Sequence, residues 1–210
     1  GKQTPYQEDD ETGPETQIGI YAQSKLAGER AIIDGFDAPH LTSTYYILRT
    51  SWVYGDGGNF IKTMLRLARE RDRISVVADQ FGAPTSALFL ARLAKILLVN
   101  HHHSPISSKS GIYHAVPHGY TSWHSLAQLV IGLIQDMKMP TRVTLENLLP
   151  IPANDYPLPA PRPYNSRLCN KKLANYLAVI NAENLSPLQL QHWQTEVTAY
   201  VHQCAELIKQ

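Results

Sequence analysis

A tyrosine and a lysine four residues apart, in Tyr21-Ala-Gln-Ser-Lys25, are the side chains here whose types and spacing most directly suggest chemistry. On a helix, positions i and i+4 share a face, so a phenol and an ammonium would stand side by side. A phenol ordinarily titrates near pH ~10, and a neighbouring positive charge favours its ionised form, so the pair can protonate a developing alkoxide closer to neutrality. The lysine can also hold a ribose hydroxyl. The same spacing also describes a packed tyrosine beside a solvated lysine. A second feature is the turn Gly82-Ala-Pro-Thr85, whose backbone donors lead into a helix N-terminus where an anion could bind, although a plain turn looks the same. The histidines offer less. His101, His102 and His103 are consecutive, and neighbours in sequence rarely converge on one metal, while His114, His118 and His124 are scattered. All six read as solvated or structural residues, and no metal is expected.

The elements that must position these groups alternate. A helix is expected from Ile18 to Ile33, with apolar groups at 18, 21, 22, 26, 27, 31 and 32 and Gly28 suggesting close packing. The run Tyr45–Tyr54 reads as one buried strand that ends at the turn Gly55-Asp-Gly-Gly58. Asn59 then caps a helix whose positions 60, 61, 64, 65 and 68 share a face, and Ile74–Ala78 is a second strand. Thr85 is placed at the cap of another helix that offers Leu88, Leu90, Ala91, Ala94, Ile96 and Leu97 for burial. A short strand at 111–116, a helix opening at Thr121 or Ser122, a strand within 142–151 and a closing helix capped by Ser186-Pro187 follow. Between the last two, six of the 14 prolines fall within residues 150–163, so that stretch is an extended strap or a linker, not a helix. Strand and helix in alternation argue for an α/β layer on a parallel sheet.

With 210 residues, 43% of them hydrophobic and 18% charged, the chain has the apolar content for one sizeable core or two small ones, which excludes disorder. A net charge of +1 gives no broad basic field for nucleic acid, and no apolar run approaches the roughly 18 residues a membrane span needs. Cys169 and Cys204 are too few for a disulfide framework, and Gly1–Pro14 reads as a leading loop or tail without the pattern of a secretory signal. A reducing cytoplasm is the expected compartment.

The Tyr-Lys pair has ordered company: KLAGE after it, then LRTSWVYG at 48–55, NFIKTMLRLA at 59–68, DQFGAPTS at 79–86, GIYHAV at 111–116, TSWHSLA at 121–127 and RPYNSRL at 162–168. This series resembles the extended short-chain dehydrogenase/reductases, and among them the dTDP-4-dehydrorhamnose reductase family, over nearly the whole chain. The resemblance implies hydride transfer from NADPH or NADH to the 4-keto carbon of a dTDP-linked 6-deoxy sugar. Tyr21 would then be the general acid, and Lys25 the group that lowers its pKa and binds the nicotinamide ribose. Trp52 matches an aromatic residue placed against the substrate's sugar, where a flat ring suits an apolar face; otherwise it is a core tryptophan. Arg162 and Asn165 match a loop near the substrate, the arginine suited to a diphosphate and the asparagine to a base or sugar hydroxyl, although Arg162 could instead pair with Asp155. Some relatives are described with magnesium at a dimer contact, held by an acidic residue just after the GAPT turn. That place is Leu88 here, so no metal is carried over.

The resemblance also implies a glycine-rich nucleotide-binding half ahead of the tyrosine helix, and the 210 residues contain no such turn after an opening strand. The expected fold is therefore an α/β, incomplete Rossmann-like parallel sheet with flanking helices and a smaller C-terminal α+β substrate-binding region. Residues 1–100 would form the end of the nucleotide-binding domain and 101–210 the substrate region, interleaved with it. An open sheet edge and bare helix faces are expected, with weak NADPH binding by the chain alone and self-association or a homodimer. Two alternatives stay open: a noncatalytic regulatory subunit of the same fold, like that of methionine adenosyltransferase, or a reductase or epimerase of another nucleotide sugar.

Overall fold

A computed structural model describes residues 2–14, 18–36, 44–100, 110–156, 159–160, 162–182 and 188–209. The first of these segments is no free tail. Tyr6 N donates to Arg167 O at 2.8 Å and Cys169 N to Tyr6 O at 2.7 Å, a parallel bridge that sews the segment to residues 167–169. Lys2 Nζ donates to Asp10 Oδ1 at 2.6 Å, a contact that holds the Asp10 carboxyl below its ordinary pKa. The helix that follows, α1 (Ile20–Phe36), has the expected apolar stripe but buries no residue of it. Gly28 is not a close-packing site: a Cβ there would meet nothing within 4 Å among the described residues.

The stretch expected as one strand is two, β1 (Tyr46–Arg49) and β2 (Val53–Tyr54). The break lies at Trp52, whose φ of 47° is left-handed, a conformation no strand accommodates. Helix α2 (Phe60–Glu70) starts where Asn59 Oδ1 accepts Lys62 N at 3.0 Å, and Ile61, Met64, Leu65 and Ala68 form its buried face. Strands β3 (Ile74–Val77), β4 (Phe81–Gly82) and β5 (Thr85–Ser86) lead to α3 (Ala87–Asn100). Its cap is Ser86, not Thr85: Ser86 Oγ accepts Phe89 N at 3.0 Å, while the fully buried Thr85 donates its hydroxyl to Ala83 O at 3.1 Å. The buried face of α3 is Phe89, Leu93 and the expected Leu97, packed against later residues of the chain, while Leu88, expected to be available for burial, stays 59% exposed.

Strands β6 (Gly111–His114) and β7 (Thr121–Ser122) precede α4 (Trp123–Asp136), capped by Ser122 Oγ, which accepts Ser125 N at 3.1 Å. A 3-10 turn at Leu145–Asn147 opens β8 (Leu148–Ile151); the described part of the proline strap is irregular apart from a 3-10 turn at Ala153–Asp155, and it ends in β9 (Asn165–Ser166). Helix α5 (Lys171–Ala182), absent from the sequence reading, buries Leu173 and Leu177, and α6 (Trp193–Lys209) closes the chain. The Ser186-Pro187 cap expected for α6 lies outside the described residues.

β1 pairs with β6, β2 with β5 and β3 with β8, all parallel, while β4 lies between antiparallel β7 and parallel β9. Parallel ladders joined through helices make this a Rossmann-like α/β fold. Four of these partnerships join strands from either side of residue 100, so the two regions are interwoven. β1 has no partner on its other edge among the described residues. One core fills the space between α2, α4, α6, β3 and β8; a second lies between α3, β6 and α5. No helix of the described residues is long and apolar enough to cross a membrane.

Candidate active site

Tyr21, Lys25 and Glu29 repeat every fourth residue and so form a column on one face of α1. Lys25 Nζ lies 5.3 Å from the centroid of the Tyr21 ring, and Tyr21 is 77% exposed. The helix is open to solvent, so the column borders a cleft of about 400 Å³ against residues 6–13, with Arg49 and His114 in its wall. Below the pair, Arg49 grips Glu29 with two hydrogen bonds, Nε to Oε1 at 2.9 Å and Nη2 to Oε2 at 2.6 Å. His114 stands beside Arg49 in the β1–β6 register; its backbone N–H donates to Glu8 Oε1 at 3.1 Å and its Nδ1 lies 3.1 Å from Cys169 O. Burial pushes the His114 imidazole below its ordinary pKa, against the opposing pull of Glu8. The face thus presents an accessible phenol with an ammonium at its ring, above a half-buried ion pair.

Trp52 belongs to a second constellation. Its half-buried indole stacks on Trp123, with centroids 3.6 Å apart and planes 12° from parallel. Gly82 is required beneath it, because a Cβ there would come within 2.5 Å of Trp52 Cε2. A left-handed φ on a large non-glycine residue costs on the order of 1–3 kcal/mol, and the stack and the glycine hold it in place. Trp123 also walls an apolar cleft of about 260 Å³ with Phe60, Met64, Gln80 and Tyr156, and Arg162 sits at this cleft. Arg162 is exposed and makes no ion pair among the described residues, so the alternative pairing with Asp155 is not formed.

Asn165 is placed otherwise than expected. Its Nδ2 donates to Lys2 O at 2.6 Å and to Thr4 O at 2.9 Å, and its Oδ1 accepts from Arg167 N at 3.1 Å and Nε at 2.8 Å. An amide has two donors and two acceptor sites, and the protein itself uses all of them. The GAPT turn is likewise spent internally, Ala83 N on Ser51 Oγ at 3.2 Å and Thr85 N on Trp52 O at 3.2 Å, which corrects the anion-site reading of these two amides. Of the histidines, His114 and His124 meet the backbone carbonyls of Cys169 and Leu148 at 3.1 Å, and no metal-type cluster occurs among the described residues. His101–His103 lie outside them.

The structure therefore groups Tyr21 with Lys25 on α1, and Trp52 with Arg162 through Trp123, and assigns Asn165 to neither. Sequence reasoning missed Trp123, Tyr156, Gly82, Glu29 and Arg49. The signal for Trp123 was an aromatic residue in the first turn after a capping serine; for Glu29 it was the continuation of the Tyr21–Lys25 spacing by four more residues.

Comparison with known proteins decides the family. A model described as the RmlD substrate binding domain matches residues 1–206. The chain belongs to this family. Among curated relatives, dTDP-4-dehydrorhamnose reductase of Shigella flexneri is 42% identical over 178 residues, 84% of this chain and 55% of the relative. The solved Clostridium acetobutylicum dTDP-4-dehydrorhamnose reductase superposes with a TM-score of 0.73 at 29% identity, over 97% of this chain and 61% of that one. The Bacillus anthracis reductase, solved in complex with NADP, gives 0.68 at 31% identity, over 94% and 59%. The chain spans about half the length of the curated relatives it matches.

Proposed function

We propose that this region supplies the general acid and the substrate-gripping surface of a dTDP-4-dehydrorhamnose reductase, which reduces dTDP-4-dehydro-6-deoxy-L-mannose to dTDP-L-rhamnose. The observation that carries the reading is the accessible Tyr21 phenol with Lys25 Nζ 5.3 Å over its ring, on an open helix face of a chain in this family. The donor set fits a nicotinamide dinucleotide. Lys25 is an exposed ammonium able to donate to ribose hydroxyls, and its column faces open space. Lys25 and Tyr21 are the residues that would hold the nicotinamide end of NADPH, or of NADH.

When bound, the reduced nicotinamide supplies the hydride that adds to the sugar's C4. The carbonyl electron pair moves onto O4, Tyr21 Oη gives that oxygen its proton, and solvent returns a proton to Tyr21. Lys25 keeps its ammonium 5.3 Å from the centroid of the Tyr21 ring. Trp52 backs Trp123, whose ring lines the apolar cleft and offers a flat surface to the deoxy sugar, and Arg162 offers a planar fork to the diphosphate. Asn165 acts at one remove by holding residues 2–4 beside the strap. We place the protein in the cytoplasm, where its two free cysteines stay reduced.

The test is turnover of the keto sugar with NADPH, followed at the nicotinamide absorbance, by the chain itself and by the chain joined to the nucleotide-binding half of a curated relative. Tyr21→Phe is expected to lower kcat by at least about a hundredfold while circular dichroism is unchanged. Equal turnover by the phenylalanine variant would remove the acid from the mechanism, and partner binding insensitive to it would favour a noncatalytic role.

A further inference from the structure

Helix α1 has no fully buried residue among the described ones; Leu26, Glu29, Ile33 and Phe36 are half-buried, and of these Glu29 lies on the column of Tyr21 and Lys25. We propose that Glu29 and Arg49 are positioning residues whose bidentate ion pair holds the Tyr21–Lys25 face of α1 over the carboxyl ends of β1 and β6. The inference rests on the reductase reading for the meaning of that face, though not for the existence of the clamp.

Glu29 is one helical turn beyond Lys25 on the column that begins at Tyr21, so a torque on Glu29 is a torque on both. Arg49 is the last residue of β1 and is paired in register with His114, the last residue of β6, which makes its root the rigid end of a parallel ladder. Exposed ion pairs hold little, but this one is two-pronged, and its side chains are only 23% and 17% exposed. A single-point contact would let the helix roll about its axis, whereas two parallel N–H···O bonds fix the carboxylate plane. The arrangement is braced from the other side, where Glu8 of the N-terminal strap accepts from His114 N at 3.1 Å in the same cleft wall.

Three variants separate the clamp from a structural role. In the 210-residue chain, hydrogen exchange of α1 amides is expected to quicken about tenfold or more in Glu29→Gln, less in Arg49→Lys, and to return towards wild type in the exchanged pair Glu29→Arg with Arg49→Glu, while α4 amides stay protected in all three. Unchanged α1 exchange in Glu29→Gln would overturn the clamp. In the turnover assay, Glu29→Gln is expected to lower kcat about tenfold or more with KM for the sugar nucleotide unaltered, and the exchanged pair to recover most of it. Faster exchange with unaltered kcat, or a loss confined to KM, would overturn the positioning role. A wild-type enzyme that turned over no keto sugar would sink the reductase reading alone, because the exchange experiment still decides the clamp.

Discussion

Helices α1 and α4 each carry part of the candidate site, and they are held in opposite ways. α4 buries Leu126, Ala127, Val130, Ile131 and Ile134 against α2, α6 and the β3–β8 ladder, and from its first turn presents Trp123 to Trp52. α1 has no buried residue, exposes Ile20 at 84%, and meets the sheet region through the Glu29–Arg49 pair and the Phe36–Tyr45 ring contact. The Trp52–Trp123 surface therefore comes with its own core, whereas the Tyr21–Lys25 pair stands on a helix without one among the described residues. Burial at about 25 cal/mol per Å² of apolar surface is what α4 has and α1 lacks. The aromatic half of the candidate site is packed within the chain, and the helix that carries the Tyr-Lys pair has an exposed apolar stripe.

The comparison breaks most directly by truncating one apolar residue on each helix. Ile134→Ala, at 1% exposure, is expected to cost about 2–5 kcal/mol in equilibrium urea unfolding, against less than about 0.5 kcal/mol for Ile20→Ala. Equal costs would mean that α1 is packed after all. Gly82→Ala probes the rigid half more gently. Its Cβ would meet Trp52 Cε2 at 2.5 Å, so the expected loss is about 1–3 kcal/mol, with a shift in tryptophan emission as the stack with Trp123 opens. No emission change would show that the indole pair is not locked.

The smallest effect concerns acid. His114 has its folded-state pKa below the ordinary 6.5 because burial penalises the imidazolium, so below that value the unfolded chain takes up the proton first. Its contribution is complete above pH 6.5 and is lost as the pH falls towards the folded pKa. The melting temperature should therefore decline from about pH 6.5 downward, and His114→Asn should flatten that limb.

Local signals in the sequence translated well. Asn59 and Ser122 cap helices because a short polar side chain reaches a backbone N–H three residues on, which needs no knowledge of the rest of the fold. The alternation of strand and helix gave the layer architecture for the same reason. What failed was set by distant neighbours. The kink at Trp52 depends on a glycine 30 positions later and on Trp123, and the spent amide of Asn165 depends on residues 2–4. The buried face of α3 is likewise set by its partners in β6 and α5, which take Phe89 and Leu93 and leave Leu88 outside. Helix α5 was overlooked beside the proline strap, although Leu173 and Leu177 show the i, i+4 spacing. At the candidate site, the Tyr21–Lys25 column was legible because it is a single helical turn. Its anchor at Arg49 was not, because nothing in one dimension says that a strand end and a helix face will meet.

The stitching of residues 2–10 to residues 165–169 has a consequence for how the molecule is born. Asn165 grips Lys2 across 163 positions of chain, so a segment that leaves the ribosome early has no seat until that asparagine has been made. At about 5–20 residues per second this is a wait of roughly ten to thirty seconds, during which the strap drifts unpaired beside a growing nascent chain. Residues 2–10 are made before their seat, and the cleft beside the phenol gains that wall only once residues 165–169 exist to hold it.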